Sequence, residues 1–85
     1  MQVATRNLTA TTTIARADGF YRIAIKAQGG DISIIGNGTF QGNLSEAITI
    51  SENESFFMTA EPGAPIDGLT IIPGGNVAVL QAFNG

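Results

Sequence analysis

The 85-residue sequence contains no cysteine and no histidine. Without cysteine no disulfide can form, and without either residue no thiolate or imidazole is available to bind zinc or a transition metal. Catalytic mechanisms that use a cysteine nucleophile or a histidine base are excluded by the same absence. The sequence therefore predicts a protein that is not an enzyme and that binds no cofactor.

Charged residues are also scarce, at 13% of the chain against about 25% in an average globular protein. Hydrophobic residues make up an ordinary 44%, so neutral Gly, Thr, Asn, Gln and Ser must form most of the surface. Such a surface is weakly protected against association, and a domain of this length has a small core of its own. We therefore expect a homo-oligomer, with a neutral-surfaced monomer as the alternative.

The few charges are distributed unevenly along the chain. Residues 1–42 hold four basic and two acidic residues, a net +2, whereas residues 43–85 hold five acidic residues, a net −5. This asymmetry favours contact between unlike surfaces of neighbouring subunits, although the two halves could equally neutralise each other within one fold. The overall charge of −3 argues against a nucleic-acid partner.

Long apolar runs are missing as well. The N-terminal stretch "MQVATRNLTATTTIARA" lacks the apolar core of a signal peptide, and no segment reaches the length of about 18 apolar residues that spans a membrane. We expect a soluble chain that is made in the cytoplasm and has no membrane partner.

Period-two alternation of apolar and polar residues is present throughout and is typical of β-strands. It is clearest in "GFYRIAIKA" at 19–27 and recurs in "DISII", "AITI", "ESFFMTA", "LTII" and "NVAVLQAF", while "GNG" at 36–38 predicts a tight hairpin. The pattern predicts a single all-β domain over 1–85, a small sandwich or barrel of about seven or eight short antiparallel strands. Residues 1–7 are expected to form a mobile N-terminal arm. The predicted core consists of Ile23, Ile25, Ile34, Ile48, Ile50, Phe56, Leu69, Ile71, Val77 and Val79.

An internal echo links the two halves of the chain. "ARADGFYRI" at 15–23 resembles "SENESFFMT" at 51–59, and Ile34 and Ile35 match Ile71 and Ile72. The echo suggests two similar halves that pack as two layers. The alternative is that two alternating hairpins resemble each other by chance.

Each half contains two adjacent aromatic residues. Neighbouring strand residues point to opposite faces, so one ring of each pair must face outward. Together with the unevenly placed charges, these rings define a candidate interface: Phe20, Tyr21, Phe56, Phe57, Arg22, Lys26, Glu52 and Glu54.

Two weaker chemical interpretations of the acidic turn remain open. Glu52 and Glu54 could act as paired carboxylates, but an acidic hairpin tip is usually just a solvated turn. The stretch "SENES" with Glu61 or Asp67 could supply oxygen ligands to a weakly bound calcium ion, although its spacing matches no EF-hand.

The segment "AITISENESFFMTAEPGAPIDGLTIIPGGNVAVL" resembles the C-terminal part of small all-β virion proteins of tailed bacteriophages, such as capsid decoration or cement proteins and fibre modules. The resemblance implies a virion structural protein whose copies bind the major capsid protein and each other, with a trimer expected at capsid three-fold positions. The alternative is a carbohydrate- or receptor-binding module of a tail fibre. In that case, Phe20 or Tyr21 and Phe57 would stack on sugar rings.

Overall fold

The computed structural model describes residues 3–36 and 46–84. Those ranges contain eight β-strands and one short 3-10 turn at Arg16–Asp18. The strands are β1 Val3–Leu8, β2 Thr12–Ile14, β3 Arg22–Gln28, β4 Ile32–Gly36, β5 Ile48–Ile50, β6 Ser55–Thr59, β7 Leu69–Ile72 and β8 Val77–Phe83. The predicted all-β fold is therefore confirmed.

The strands form two four-stranded sheets in which every pairing is antiparallel. Sheet I has the order β1-β8-β3-β6 and sheet II the order β2-β7-β4-β5. This is the strand order of a jelly roll. It arises when a long antiparallel ribbon is rolled into a sandwich. In that ribbon β1 pairs with β8, β2 with β7, β3 with β6 and β4 with β5.

The two halves of the chain do not form separate layers, as the internal echo suggested. Each sheet takes two strands from β1–β4 and two from β5–β8, because rolling the ribbon interleaves them. The echo nevertheless has one structural counterpart: Ile34 in β4 and Ile71 in β7 are direct cross-strand partners in sheet II.

One hydrophobic cluster fills the space between the sheets. Burying an isoleucine or leucine side chain contributes about 1.5–3 kcal/mol, so this cluster is the main source of stability. Six of the ten predicted core residues are confirmed as buried: Ile23, Ile25, Ile34, Ile50, Leu69 and Ile71. A seventh, Phe56, is half-buried and packs against the cluster.

The other three predicted core residues are wrong. Ile48 is 40% exposed, because β5 is a short strand at the edge of sheet II. Val77 and Val79 lie on the outer face of β8, whose buried residues are Ala78, Leu80 and Ala82. The reason is cross-strand register, which places Leu80 opposite buried Ile25 in β3.

The segment predicted to be a mobile arm contains strand β1. Val3–Leu8 pairs with β8 from Val3 opposite Phe83 to Leu8 opposite Ala78, and Leu8 is buried. Local alternation did not reveal this strand, because its partner β8 lies at the other end of the chain. Met1 and Gln2 lie outside the described residues, as do most of the predicted "GNG" hairpin and Phe40.

Candidate interaction surface

The most distinctive surface of the molecule is the outer face of sheet I, which we call the sheet I face. Its layout follows from the cross-strand register, since partners lie side by side on the same face. Three rows of neighbours cross strands β6, β3 and β8: Phe57–Ala24–Gln81, Ser55–Lys26–Val79 and Thr59–Arg22–Phe83. Strand β1 extends the first two rows with Thr5 and Asn7.

Phe57 is the most exposed large hydrophobic residue in the described part of the chain, with 73% of its surface accessible. It lies on β6, an edge strand of sheet I, while its neighbour Phe56 points inward and packs against the core. Period-two alternation required one ring of this pair to face outward, and the structure identifies that ring as Phe57.

Two cationic side chains lie on the same face. The guanidinium carbon of Arg22 is 4.9 Å from the centre of the Phe83 ring, a cation–π geometry that keeps the arginine along the sheet. Lys26, four residues further along β3, is exposed. All seven acidic residues of the chain lie outside the eight strands.

The sheet I face is not flat. A shallow depression of about 270 Å³ lies across its centre, lined by Ala24, Lys26, Ser55, Phe57, Val79 and Gln81. A second cavity, of about 380 Å³, opens at the end of the same face, and its lining includes Tyr21, Arg22, Thr59, Ala60 and Pro62. Arg22 and Thr59 belong both to the lining of this cavity and to the sheet I face, so the cavity borders the face.

The other predicted interface aromatics have different places. Phe20 is buried, and the Arg6 guanidinium carbon lies 6.0 Å from the centre of its ring. Its backbone carbonyl accepts a hydrogen bond from the Ile66 N–H, 2.8 Å away. Alternation continued back from β3 would place Phe20 on the outer face. It does not apply to Phe20, because β3 begins only at Arg22. Tyr21 is half-buried and lines the larger cavity.

Glu52 and Glu54 do not lie on the sheet I face. They belong to the β5–β6 turn, where the Glu52 N–H donates to Oδ1 of Asp31 at 2.9 Å. Asn53, between them, takes the left-handed conformation that such turns require, with φ of 67°. The sequence interpretation missed Asp31, which links this turn to the β3–β4 turn.

The calcium interpretation fails on geometry. Glu54 directly precedes β6 and Glu61 follows its far end, so the full length of this five-residue strand, about 17 Å, lies between them. Asp67 lies at the same end as Glu61, where its Oδ1 accepts a hydrogen bond from the Arg16 N–H. No group of three metal-ligating side chains occurs within residues 3–36 and 46–84.

The outer face of sheet II, the sheet II face, is chemically different. Its four strands contain no charged residue, and hydroxyl side chains occupy many outward positions. Oγ1 of Thr13 and Oγ1 of Thr70 are cross-strand neighbours joined by a hydrogen bond of 2.9 Å. Ile35 in β4 and Ile72 in β7 also lie on this face and are half-buried.

The fold and this surface define the chain as a small jelly-roll β-sandwich with one aromatic and basic sheet face. Comparison of the chain with protein-family models, curated proteins and solved structures finds no significant match. No helix in the described ranges is long and apolar enough to cross a membrane. Any assignment of function therefore has to rest on the chemistry of the surface.

Proposed function

We propose that this chain is a non-enzymatic virion structural protein, a capsid decoration protein of a tailed bacteriophage that binds the major capsid protein and itself. It would be made in the host cytoplasm and become part of the virion. The observation that carries the proposal is the sheet I face, which combines the exposed ring of Phe57 with the cationic side chains of Arg22 and Lys26.

Exposed Phe57 is the strongest argument for a macromolecular partner. A ring that is 73% accessible gains free energy when another surface covers it, and aromatic residues supply much of the binding energy of protein interfaces. Val79 and Phe83 extend the apolar area around it, and the depression beside it can receive a side chain of the partner.

Charge indicates which surface would fit. Lys26 lies one strand away from Phe57, and Arg22 borders the larger cavity. A partner surface with acidic residues around an apolar centre would therefore be complementary, and complementary charge fixes orientation and speeds association. The turns of this chain, which carry all seven of its acidic residues, would be repelled from such a partner.

The fold is compatible with the proposal. Jelly rolls include viral capsid domains and lectin domains, so the strand order supports a virion role and a sugar-binding role alike. Function depends on the site and not on the fold alone. The chemistry of the sheet I face therefore has to decide between them.

A carbohydrate- or receptor-binding module of a tail fibre is the second candidate. The observation that favours it is the cavity of about 380 Å³, whose lining includes Tyr21 and Arg22. In this candidate the ligand would occupy the cavity at the strand ends, and the centre of the sheet I face would be dispensable.

Co-sedimentation with capsid shells tests the proposal and separates the candidates. The shells would be assembled from the major capsid protein of the same phage. We expect the wild-type chain to bind, Phe57→Ala to weaken binding about ten-fold or more, and Thr49→Ala, an exposed change on sheet II, to bind normally. Failure of the wild-type chain to bind shells would contradict the proposal. Sugar binding that Tyr21→Ala abolishes and Phe57→Ala leaves intact would support the second candidate.

A further inference from the structure

The four edge strands of the sandwich differ in their protection against pairing with another chain. Proteins protect sheet edges with charged residues, prolines or very short strands. Strand β1 carries Arg6, and β2 and β5 have only three residues each. Strand β6, with the sequence SFFMT, has five residues and neither a charge nor a proline. Among the described residues, β6 is the unprotected edge.

Hydrogen bonds at both ends of β6 show which of its backbone groups are already used. The Ala27 N–H donates to the Glu54 carbonyl at 3.1 Å, and the Ala60 N–H donates to the Tyr21 carbonyl at 2.7 Å. In an antiparallel ladder the residues that bond to one neighbour alternate along the strand. The even-numbered residues of β6 therefore direct their N–H and C=O groups towards β3.

The odd-numbered residues, Ser55, Phe57 and Thr59, direct their N–H and C=O groups away from β3. No strand in residues 3–36 or 46–84 pairs with this side of β6. The three residues are spaced symmetrically about Phe57, which is the middle residue of the strand and also the most exposed aromatic. The open edge of β6 is thus close to self-complementary.

We propose that β6 pairs antiparallel with β6 of a second copy of the chain, about a two-fold axis that passes beside Phe57. Each Phe57 would then face the Phe57 of the other copy, and each Ser55 would face a Thr59. This register forms about six backbone hydrogen bonds between the copies and leaves none of the outward groups of these residues unused. A two-fold contact of this kind uses the same patch on both subunits.

The side chains agree with this register. The two Phe57 rings would be neighbours on one face, Ser–Thr pairs can exchange a hydrogen bond, and no charged side chain of β6 meets its own copy. The two sheets I would merge into one eight-stranded sheet, so that both sheet I faces point to the same side. The inference rests on the proposed self-association and names its interface. It replaces the trimer expected from the phage resemblance with a dimer.

Cross-linking tests the register directly, because the chain contains no cysteine of its own. Hydrogen-bonded antiparallel partners have Cα atoms about 5.5 Å apart, a distance that a disulfide spans. We expect Phe57→Cys to give a covalent dimer on mild oxidation of the full chain at micromolar concentration. The matched control is Val79→Cys, which is on the same face but two strands away from β6, and whose copies would lie about 24 Å apart.

Hydrogen exchange of the unmodified chain provides a second, independent readout. On dilution from the dimer to the monomer, we expect the amides of Ser55, Phe57 and Thr59 to lose protection, while those of Phe56 and Met58 keep theirs. Phe57→Pro removes an outward N–H and the exposed ring but no N–H that donates to β3. It should therefore raise the dissociation constant of the dimer about ten-fold or more and leave the β3–β6 ladder in place.

The possible results separate this inference from the proposed function. Three results would overturn the β6 pairing. The first is equal cross-linking at Phe57→Cys and Val79→Cys, and the second is a trimer or an open-ended polymer in solution. The third is hydrogen exchange that does not depend on protein concentration at Ser55, Phe57 and Thr59. If the chain still binds capsid shells in those cases, the proposed function stands. A chain that stays monomeric and also binds no shell would contradict both.

Discussion

The two outer faces of this sandwich have the same architecture and opposite chemistry. Both sheets have four antiparallel strands and share one core, yet the sheet I face carries Phe57, Arg22 and Lys26, whereas the strands of sheet II have no charge at all. The difference lies at outward positions, which do not contribute to the shared core. Under the proposed function the sheet I face contacts the partner, and the sheet II face then serves as an internal control.

The largest effect is expected where the sheets do not differ, in the core between them. Ile25 in sheet I and Ile71 in sheet II are both completely buried. Replacing either with alanine removes buried methyl groups and leaves a cavity, so each change should lower the free energy of unfolding by about 2–5 kcal/mol. Urea denaturation measures this. Two nearly neutral variants would show that the inner faces have been assigned incorrectly.

Deleting residues 1–7 tests whether β1 belongs to sheet I. The deletion removes most of a six-residue ladder and exposes the edge of β8, so we expect the free energy of unfolding to fall by about 3 kcal/mol or more. The measurement is thermal or urea unfolding of the truncated chain. An unchanged stability would support the mobile arm that the sequence suggested and would make β8 the natural edge of sheet I.

The salt dependence of shell binding tests the role of the charges on the sheet I face. If an acidic partner docks on the sheet I face, raising the salt concentration from 0.05 to 0.5 M should weaken shell binding several-fold, because ionic strength screens exposed charge pairs. Lys26→Gln should reduce that salt dependence without changing stability. Binding that salt leaves unchanged would point to a partner recognised by apolar contact alone.

The smallest effect is expected on the sheet II face. The hydrogen bond between Thr13 and Thr70 is exposed, so Thr70→Val should change the free energy of unfolding by about 0.5–1 kcal/mol at most. Shell binding should be unaffected, as measured in the same co-sedimentation assay. Lost binding in Thr70→Val would mean that the sheet II face also contacts the partner, and the comparison between the faces would no longer hold.

Local alternation allowed much of the fold to be predicted. The strands β3 to β8 lie where the sequence placed strands, and the buried residues of β3, β4 and β7 follow the expected phase. The phase of β8 was wrong because "NVAVLQAF" is apolar on both faces, with small alanines inside and valines outside. Such a sequence does not distinguish the two sides, and only pairing with β3 does.

The candidate site was predictable only in part. Phe57, Arg22 and Lys26 were identified from the sequence, and the structure brings them onto one face. Phe20 was grouped with them as one of an adjacent aromatic pair, and Glu52 and Glu54 because the acidic half of the chain could meet the basic half of a neighbour. Phe20, however, is buried before β3 begins, and the two glutamates lie in the β5–β6 turn, where the Glu52 N–H donates to Asp31.

The amino-acid sequence by itself determined the class of the fold, the inner residues of most strands and the lack of the side chains needed for thiol or imidazole chemistry. These properties depend on residue type and on a period of two, which neighbouring residues suffice to define. Only the tertiary structure decided that β1 pairs with β8 and that the strands of the two halves interleave. It alone also decided that Phe57, on the edge strand β6, lies beside Lys26 on β3. Those features depend on contacts between residues far apart in the chain, which no local pattern records.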